Sequence, residues 1–403
     1  MRYIMKKKNL LFVIPSLSAG GGEKSLVNLL SQIDFSQYDV DLFMFNHDGL
    51  FMDFIPTEVR VLPLPETYQL FSKNITKAVK ELLMKGKLSL AYNRVIFTLK
   101  NKYTKNVSTR EQYTWRHLAK SFARLEKNYD VAIGFLEKTS TYFCVDKVNA
   151  AKKIGWVHID YDKLGMDPKF DIGYFQKLNK IVTVSEECEN IFKNRFPSEK
   201  NKVEIVYNIV SPTMIYKMAA QESQDVYKRK NNEIIILSIG RLHFQKGFEL
   251  AIEACKKLVD KGYNIKWNIV GEGEERKKLE SLIKLNKLED HFKLLGLKAN
   301  PYPYIKQADI YAQTSKFEGK SIAIDEAKIL NKPIIVTNYS TAKDQITNGM
   351  DGLVAEMNSN SVAEHIENLI QDEVLRKKLI NNLSQLKLGT EGEINKLYGI
   401  FSG

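Results

Sequence analysis

Cysteine is scarce in this chain: three among 403 residues, Cys144, Cys188 and Cys255, odd in number and far apart. That excludes a disulfide framework and a cysteine-rich metal cage, and it fits thiols kept reduced in a cytosol. Long apolar runs are also missing. None approaches the roughly 20 residues needed to span a bilayer. The N-terminus has Arg2 and Lys6–Lys8 before an apolar run. That run stops at Pro15, and glycines follow where a cleavage site would be expected, so a first β-strand is the better reading than a signal peptide. Acidic residues are missing from one region. Between Lys73 and Lys127 there are fourteen Lys/Arg against three acids, Glu81, Glu111 and Glu126. This local excess of +11 accounts for nearly all of the net charge of +12.

Apolar and aromatic residues interleave with that charge. A basic amphipathic stretch suits an anionic membrane surface, although a solvated helical face is the plainer alternative. No recognised nucleic-acid module accompanies it, so nucleic acid is not expected as a partner.

The hydrophobic fraction of 44% supports proper cores, and the length suits two domains. Short apolar strands alternate with helix-length segments: Leu10 to Ile14, YDVDLFMF, Val59 to Leu62, Tyr129 to Phe135, Lys180 to Ser185 and Val203 to Asn208. A polar stretch from Gln221 to Glu233 reads as a linker or a helix within one. The pattern then restarts with Ile234 to Gly240, Ile265 to Gly271, FKLLG, ADIYAQ and PIIVTN. Such alternation predicts an α/β chain of two doubly wound, Rossmann-like domains with parallel sheets. In open α/β sheets ligands bind outside the carboxyl ends of the strands. Two such edges facing each other would form a cleft, and domain interfaces favour ligand sites.

Three clusters carry chemistry. The first is SKFEGKSIAIDEAKIL, Ser315 to Leu330. On one continuous helix Glu318 and Glu326 would stand about 12 Å apart along the axis and about 80° apart around it. The better reading puts Glu318 in a loop and Glu326 about two turns inside a helix. Gly319, Lys320, Ser321 and Ile322 would then form the helix N-terminus, whose unpaired N–H groups suit a phosphate. A carboxylate amid apolar residues is costly unless paired. The plain alternative has Asp325 and Glu326 facing water. The second cluster is SIGRLHFQKG, where Arg241 follows a strand and Lys246 precedes a helix. Two cations at a strand's carboxyl edge are well placed for a diphosphate, though an ordinary basic loop would read the same way. The third is PSLSAGGGEKS, whose glycines permit close backbone approach to a ligand. It lacks the P-loop spacing. GEGEER, at Gly271, lacks the third glycine of a dinucleotide-binding turn.

These clusters, in this order, resemble the retaining glycosyltransferases of family 4, which have the GT-B fold. FEGKSIAIDEA is similar to that family's glutamate–seven–glutamate motif, GRLHFQKG to its Arg/Lys loop, and LSAGGGEKS to its acceptor-side glycine loop. WVHID places His158 where members often have a histidine near the donor sugar, although a lone histidine among apolar residues is by itself more often structural, and Asn208 resembles the asparagine that closes the N-terminal domain. The resemblance implies an acceptor domain over 1–212, a nucleotide-sugar domain over 213–387, and a helix over 388–403 that packs back on the first. It also implies roles. Arg241 and Lys246 would hold the diphosphate, Glu318 the sugar hydroxyls and Glu326 the nucleotide ribose. Amides of Gly319 to Ile322 would support sugar or phosphate, and Gly21 and Gly22 would let the first loop approach the ligands. The chain departs from many members in having Lys320 and Ser321, not proline and glycine, after the Glu-Gly pair.

The expected reaction moves a hexose or N-acetylhexosamine from a nucleotide-sugar donor, with UDP the expected nucleotide, to a saccharide or lipid-linked acceptor in surface polysaccharide synthesis. No metal or other cofactor is expected, and the place is the cytoplasm, on the inner face of the membrane. A metal-dependent transferase would need an Asp-x-Asp motif; Asp39-Val40-Asp41 and Asp160-Tyr161-Asp162 are the candidates. A non-catalytic assembly protein on the same scaffold and a nucleotide-sugar epimerase are further alternatives.

Overall fold

The computed structural model describes residues 7–18, 20–221, 226–229 and 232–402. Residues 222–225 and 230–231 of the expected linker lie outside the described residues. The chain divides into two compact units. One holds residues 1–18, 29–206 and 394–403, the other residues 19–28 and 207–393.

The first unit carries seven strands: β1 (Lys8–Ile14), β2 (Tyr38–Met44), β3 (Arg60–Val61), β4 (Asn128–Gly134), β5 (Asn149–Val157), β6 (Lys180–Thr183) and β7 (Val203–Ile205). They form one parallel sheet in the order β3-β2-β1-β4-β5-β6-β7. β5 was absent from the sequence reading. Its first five residues are polar or small, none of them fully buried, and only its second half, Ile154 to Val157, is buried. The basic stretch forms helices, chiefly Ile75–Met84, Leu88–Tyr103 and Val107–Leu118, between β3 and β4. The last helix, Glu393–Ser402, lays Tyr398 against Tyr38 with ring centroids 5.1 Å apart, and buries Leu397 and Phe401.

The second unit carries β8 (Ile234–Ile239), β9 (Ile265–Val270), β10 (Phe292–Leu294), β11 (Ile310–Gln313), β12 (Ile334–Thr337) and β13 (Leu353–Ala355). The sheet is parallel, in the order β10-β9-β8-β11-β12-β13. β13 has only three residues, too short to stand out in the sequence. β8 shows why its apolar run does not alternate. Ile236 packs into a core with Ile252, Trp267 and Leu279, while Ile235 and Leu237 pack into another with Tyr311, Ile324 and Val336. A strand with helices on both faces must be apolar on both.

In this sheet β8 pairs with β9 on one side and with β11 on the other. The chain reverses its direction of winding there, and the carboxyl ends of β8 and β11 border the crevice where ligands bind in such folds.

Candidate functional site

Both chemical clusters of the second unit open from that crevice. Arg241 follows β8, and the short turn Phe244–Lys246 leads to Gly247 and the helix Phe248–Asp260. Gly247 has φ +59, and a Cβ there would meet the Thr314 carbonyl oxygen at 2.2 Å. The loop is therefore pressed on the end of β11, and Thr314 Oγ1 donates to the Lys246 carbonyl at 3.1 Å. Only glycine fits this backbone.

The contact brings Lys246 to Glu318, with Nζ 2.5 Å from Oε1. Glu318 is buried and also accepts from Ser315 Oγ at 2.6 Å, Gln313 Nε2 at 3.2 Å and Gln245 Nε2 at 3.2 Å. Four donors hold it at the end of β11. Arg241 is exposed and makes no salt bridge with another described residue. The two cations thus differ: one is engaged by a carboxylate, and the other is open to an anion.

The helix Ile322–Ile329 starts after Ser321. Glu326 is its fifth residue, little more than one turn inside, which corrects the expected two turns. Its carboxylate does not face water. It is buried, accepts from Tyr302 Oη at 3.0 Å and pairs with Lys24. Lys24 belongs to the same unit, 4.5 Å over the Tyr302 ring. Burial pushes the Lys24 ammonium down, but Glu326 and Tyr302 more than offset this and leave it raised. Asp325 also turns from solvent, so burial raises its carboxyl, against the pull of Lys320 and its hydrogen bond from Gln345.

The helix N-terminus is partly committed. Ser321 N–H donates to Gln345 Oε1 at 2.7 Å, and Ser321 Oγ donates to Gln313 at 2.8 Å. The Lys320 carbonyl accepts from Asn208 at 3.3 Å, and the Lys320 ammonium lies 4.0 Å over the Tyr207 ring. Asn208 also accepts from Ser25 Oγ at 2.7 Å. Gly21 and Gly22 form the first turn of the helix Gly21–Leu30 and not a loop before it, and the space around Gly21 is open. The next residue, Glu23, has its carboxyl raised by burial, while Arg241 pulls it back.

His158 lies in the first unit, just past β5. Burial pushes its imidazole down to about 3, so the ring is neutral. Nε2 is buried and makes no hydrogen bond with another described residue. Its backbone N–H donates to Glu137, a carboxylate raised by burial that the sequence reading missed. Lys138, beside Glu137, has φ +62, which is uncommon for a residue other than glycine. No spacing in the sequence links Glu137 to His158; the pairing of β4 with β5 does.

Both Asp-x-Asp candidates have structural roles. Asp41 lies in β2 and is held by Arg60 at 2.7 Å, Tyr129 at 2.7 Å and Lys127 at 3.1 Å. Asp160 caps the turn Tyr161–Leu164, and Asp162 pairs with Arg195 at 2.7 Å. Among the described residues no three His, Cys, Asp or Glu side chains converge as a metal cage would require.

Residues 220–385 match the family model of glycosyl transferases group 1. A Methanocaldococcus jannaschii protein described as an uncharacterized glycosyltransferase is 32% identical over 206 residues, 49% of this chain and 51% of its own length. A Campylobacter jejuni N-acetylgalactosamine-N,N'-diacetylbacillosaminyl-diphospho-undecaprenol 4-alpha-N-acetylgalactosaminyltransferase is 32% identical over 195 residues, 48% of this chain and 51% of its own length. The chain spans about half the length of the curated relatives it matches. Among solved structures, a Staphylococcus aureus TarM mutant in complex with fondaparinux, alpha-GlcNAc-glycerol and UDP superposes with a TM-score of 0.66 at 17% identity, over 98% of this chain and 100% of that one. That likeness shows the fold, GT-B with two Rossmann-like domains.

Proposed function

We propose that this chain, whose residues 220–385 match the family model of glycosyl transferases group 1, is a retaining glycosyltransferase of family 4. It moves a hexose or N-acetylhexosamine from a UDP-sugar to a saccharide or lipid-linked saccharide acceptor in surface polysaccharide synthesis. The observation that carries the reading is the crevice at β8 and β11, where open Arg241 shares the loop after β8 with Lys246, and Lys246 pairs with Glu318 after β11.

The leaving group of such a donor is a nucleoside diphosphate, and negative charge builds on its oxygens as the glycosidic bond breaks. Arg241 and Lys246 stabilise that charge, so the reading requires no metal ion. One preorganised group of this kind is worth on the order of 10²–10³ in rate. Glu318 is already fixed by four donors and holds sugar hydroxyls. Glu326 holds the ribose, a neutral partner that competes with Lys24 for the carboxylate. Gly319 to Ile322 line the phosphate or sugar, with the Ser321 amide committed to Gln345. Retention follows if the acceptor attacks from the leaving-group face and a phosphate oxygen takes its proton. His158, neutral by burial, acts by hydrogen bonding and not by charge. The open space at Gly21 supports ligand approach there.

The basic stretch 73–127 would hold the chain on the cytoplasmic face of the membrane, where a lipid-linked acceptor is presented. Among the described residues no helix is long and apolar enough to cross a membrane.

Melting temperature against UDP, GDP, ADP and phosphate, with and without EDTA, tests the donor site. A ligand at about 100 times its dissociation constant adds roughly 2.7 kcal/mol. A shift with UDP that survives EDTA and disappears in Arg241→Ala is the expected result. A shift that requires a metal, or none with any nucleotide, overturns the reading.

A further inference from the structure

The helix Leu88–Tyr103 has two apolar stripes where a surface helix needs one. The inner stripe is accounted for. Leu90 and Ala91 are buried with Leu70, Phe71 and Leu82, and Phe97 packs against them. The outer stripe runs Leu88, Tyr92, Val95, Ile96, Leu99 and Tyr103. At about 100° per residue these six fall within roughly 100° of arc, on the side away from Leu90 and Phe97. Leu88 and Tyr92 are each 66% exposed, Leu99 44% and Tyr103 72%, with Val95 and Ile96 half-buried between them. The helix Ile75–Met84 ends beside it with Met84 69% exposed, and the turn between them is Lys85-Gly86-Lys87. An apolar stripe of this length on a solvent face is unusual unless something covers it.

The charge around the stripe says what covers it. Lys100 and Lys102 flank it on the helix, and Lys77, Lys80, Lys87 and Lys105 lie before and after it. Lys77, Lys80, Lys87, Lys102 and Lys105 make no salt bridge with another described residue. The three acids of the region are few and two are already used, Glu81 by Lys73 at 2.6 Å and Glu111 by Lys138 at 2.8 Å.

We infer that this face, from Met84 along Leu88, Tyr92, Leu99 and Tyr103, is the surface that lies on an anionic lipid bilayer. The apolar stripe enters the headgroup boundary and the lysines meet the lipid phosphates. This deepens the membrane association proposed above by assigning it to one helix face and one orientation of the first unit. It does not depend on sugar transfer.

The test uses the full chain and vesicles of phosphatidylcholine with or without phosphatidylglycerol. Wild type co-sediments with the anionic vesicles and not with the neutral ones, and salt weakens binding. A triple variant, Leu88→Asp, Tyr92→Asp and Leu99→Asp, loses about tenfold or more in bound fraction. All three side chains are exposed, so its melting temperature stays near that of wild type. Tyr92→Trp keeps binding, and its fluorescence shifts to the blue with anionic vesicles. Undiminished binding by the triple variant, equal binding to neutral vesicles, or no blue shift overturns the assignment. So does a wild-type dimer in sedimentation that the triple variant abolishes, because a second copy would then cover the stripe. None of these readouts uses a sugar donor, so they fail separately from the transferase reading.

Discussion

The half-buried Lys246 and the buried Glu318 form an ion pair across the ends of β8 and β11, 2.5 Å apart. The cation is therefore held in place before any ligand arrives. Breaking such a pair leaves an uncompensated charge, which costs on the order of 3–5 kcal/mol. Lys246→Met is expected to lower stability by about 3 kcal/mol. Adding Glu318→Gln should recover most of that loss, because the amide can still meet Ser315 and Gln313. Urea unfolding of both variants checks it. Losses that simply add would mean the two groups are not coupled.

Arg241 separates stability from function. Its side chain is exposed and makes no salt bridge with another described residue, so Arg241→Ala should change stability by less than about 0.5 kcal/mol. If it holds the diphosphate, turnover should fall by about 10²–10³. Initial rates with a UDP-sugar, beside a melting curve, show whether the two effects part as expected.

The pieces of the site that were legible in the sequence are those encoded locally. Glu318 and Glu326 lie on one loop and helix after β11, and Arg241 and Lys246 on one loop after β8. Their partners come from distant segments. Nothing near Glu326 points to Lys24 or Tyr302, and nothing near His158 points to Glu137; only the folded chain brings these together, in the second case through the pairing of β4 with β5. The basic stretch shows the same limit. Its charge can be counted, but Leu88 and Tyr92 are as apolar as Leu90 and Phe97. Packing alone decides which stripe is left in water. β5 was hidden because its first half, at most half-buried, carries Lys152 and Lys153.

His158 gives a pH signature. Its folded value is depressed to about 3 from 6.5, so the unfolded chain binds a proton that the folded chain does not. Its contribution is fully present above pH 6.5 and is lost as pH falls towards 3, at up to about 1.4 kcal/mol per pH unit. By pH 5 the loss should reach about 2 kcal/mol. Glu137 is shifted the other way, and its contribution, present at low pH, is lost as pH rises through its raised value. Comparing wild type with His158→Phe isolates the histidine. The drop in urea-unfolding free energy between pH 7.5 and pH 5 should be smaller in the variant by that amount, and an equal drop would place His158 in water.

Gly247 couples the Arg/Lys loop to the motif after β11. An added methyl group would face two obstacles. The backbone is left-handed at φ +59, which costs a residue with a Cβ about 1–2 kcal/mol. The Thr314 carbonyl oxygen stands 2.2 Å from the new atom, so the loop must also lift. Lifting it moves Lys246 away from Glu318 and breaks the Thr314–Lys246 hydrogen bond. Gly247→Ala is therefore expected to lower the melting temperature by several degrees and to weaken UDP binding together with it. Gly262→Ala is the control. Gly262 also has positive φ, at +88, but nothing lies within 4 Å of its would-be Cβ. It should lose stability through strain alone and keep its UDP-induced shift. If Gly247→Ala also kept that shift, the contact between the two loops would be structural only, and the diphosphate would be held without Lys246.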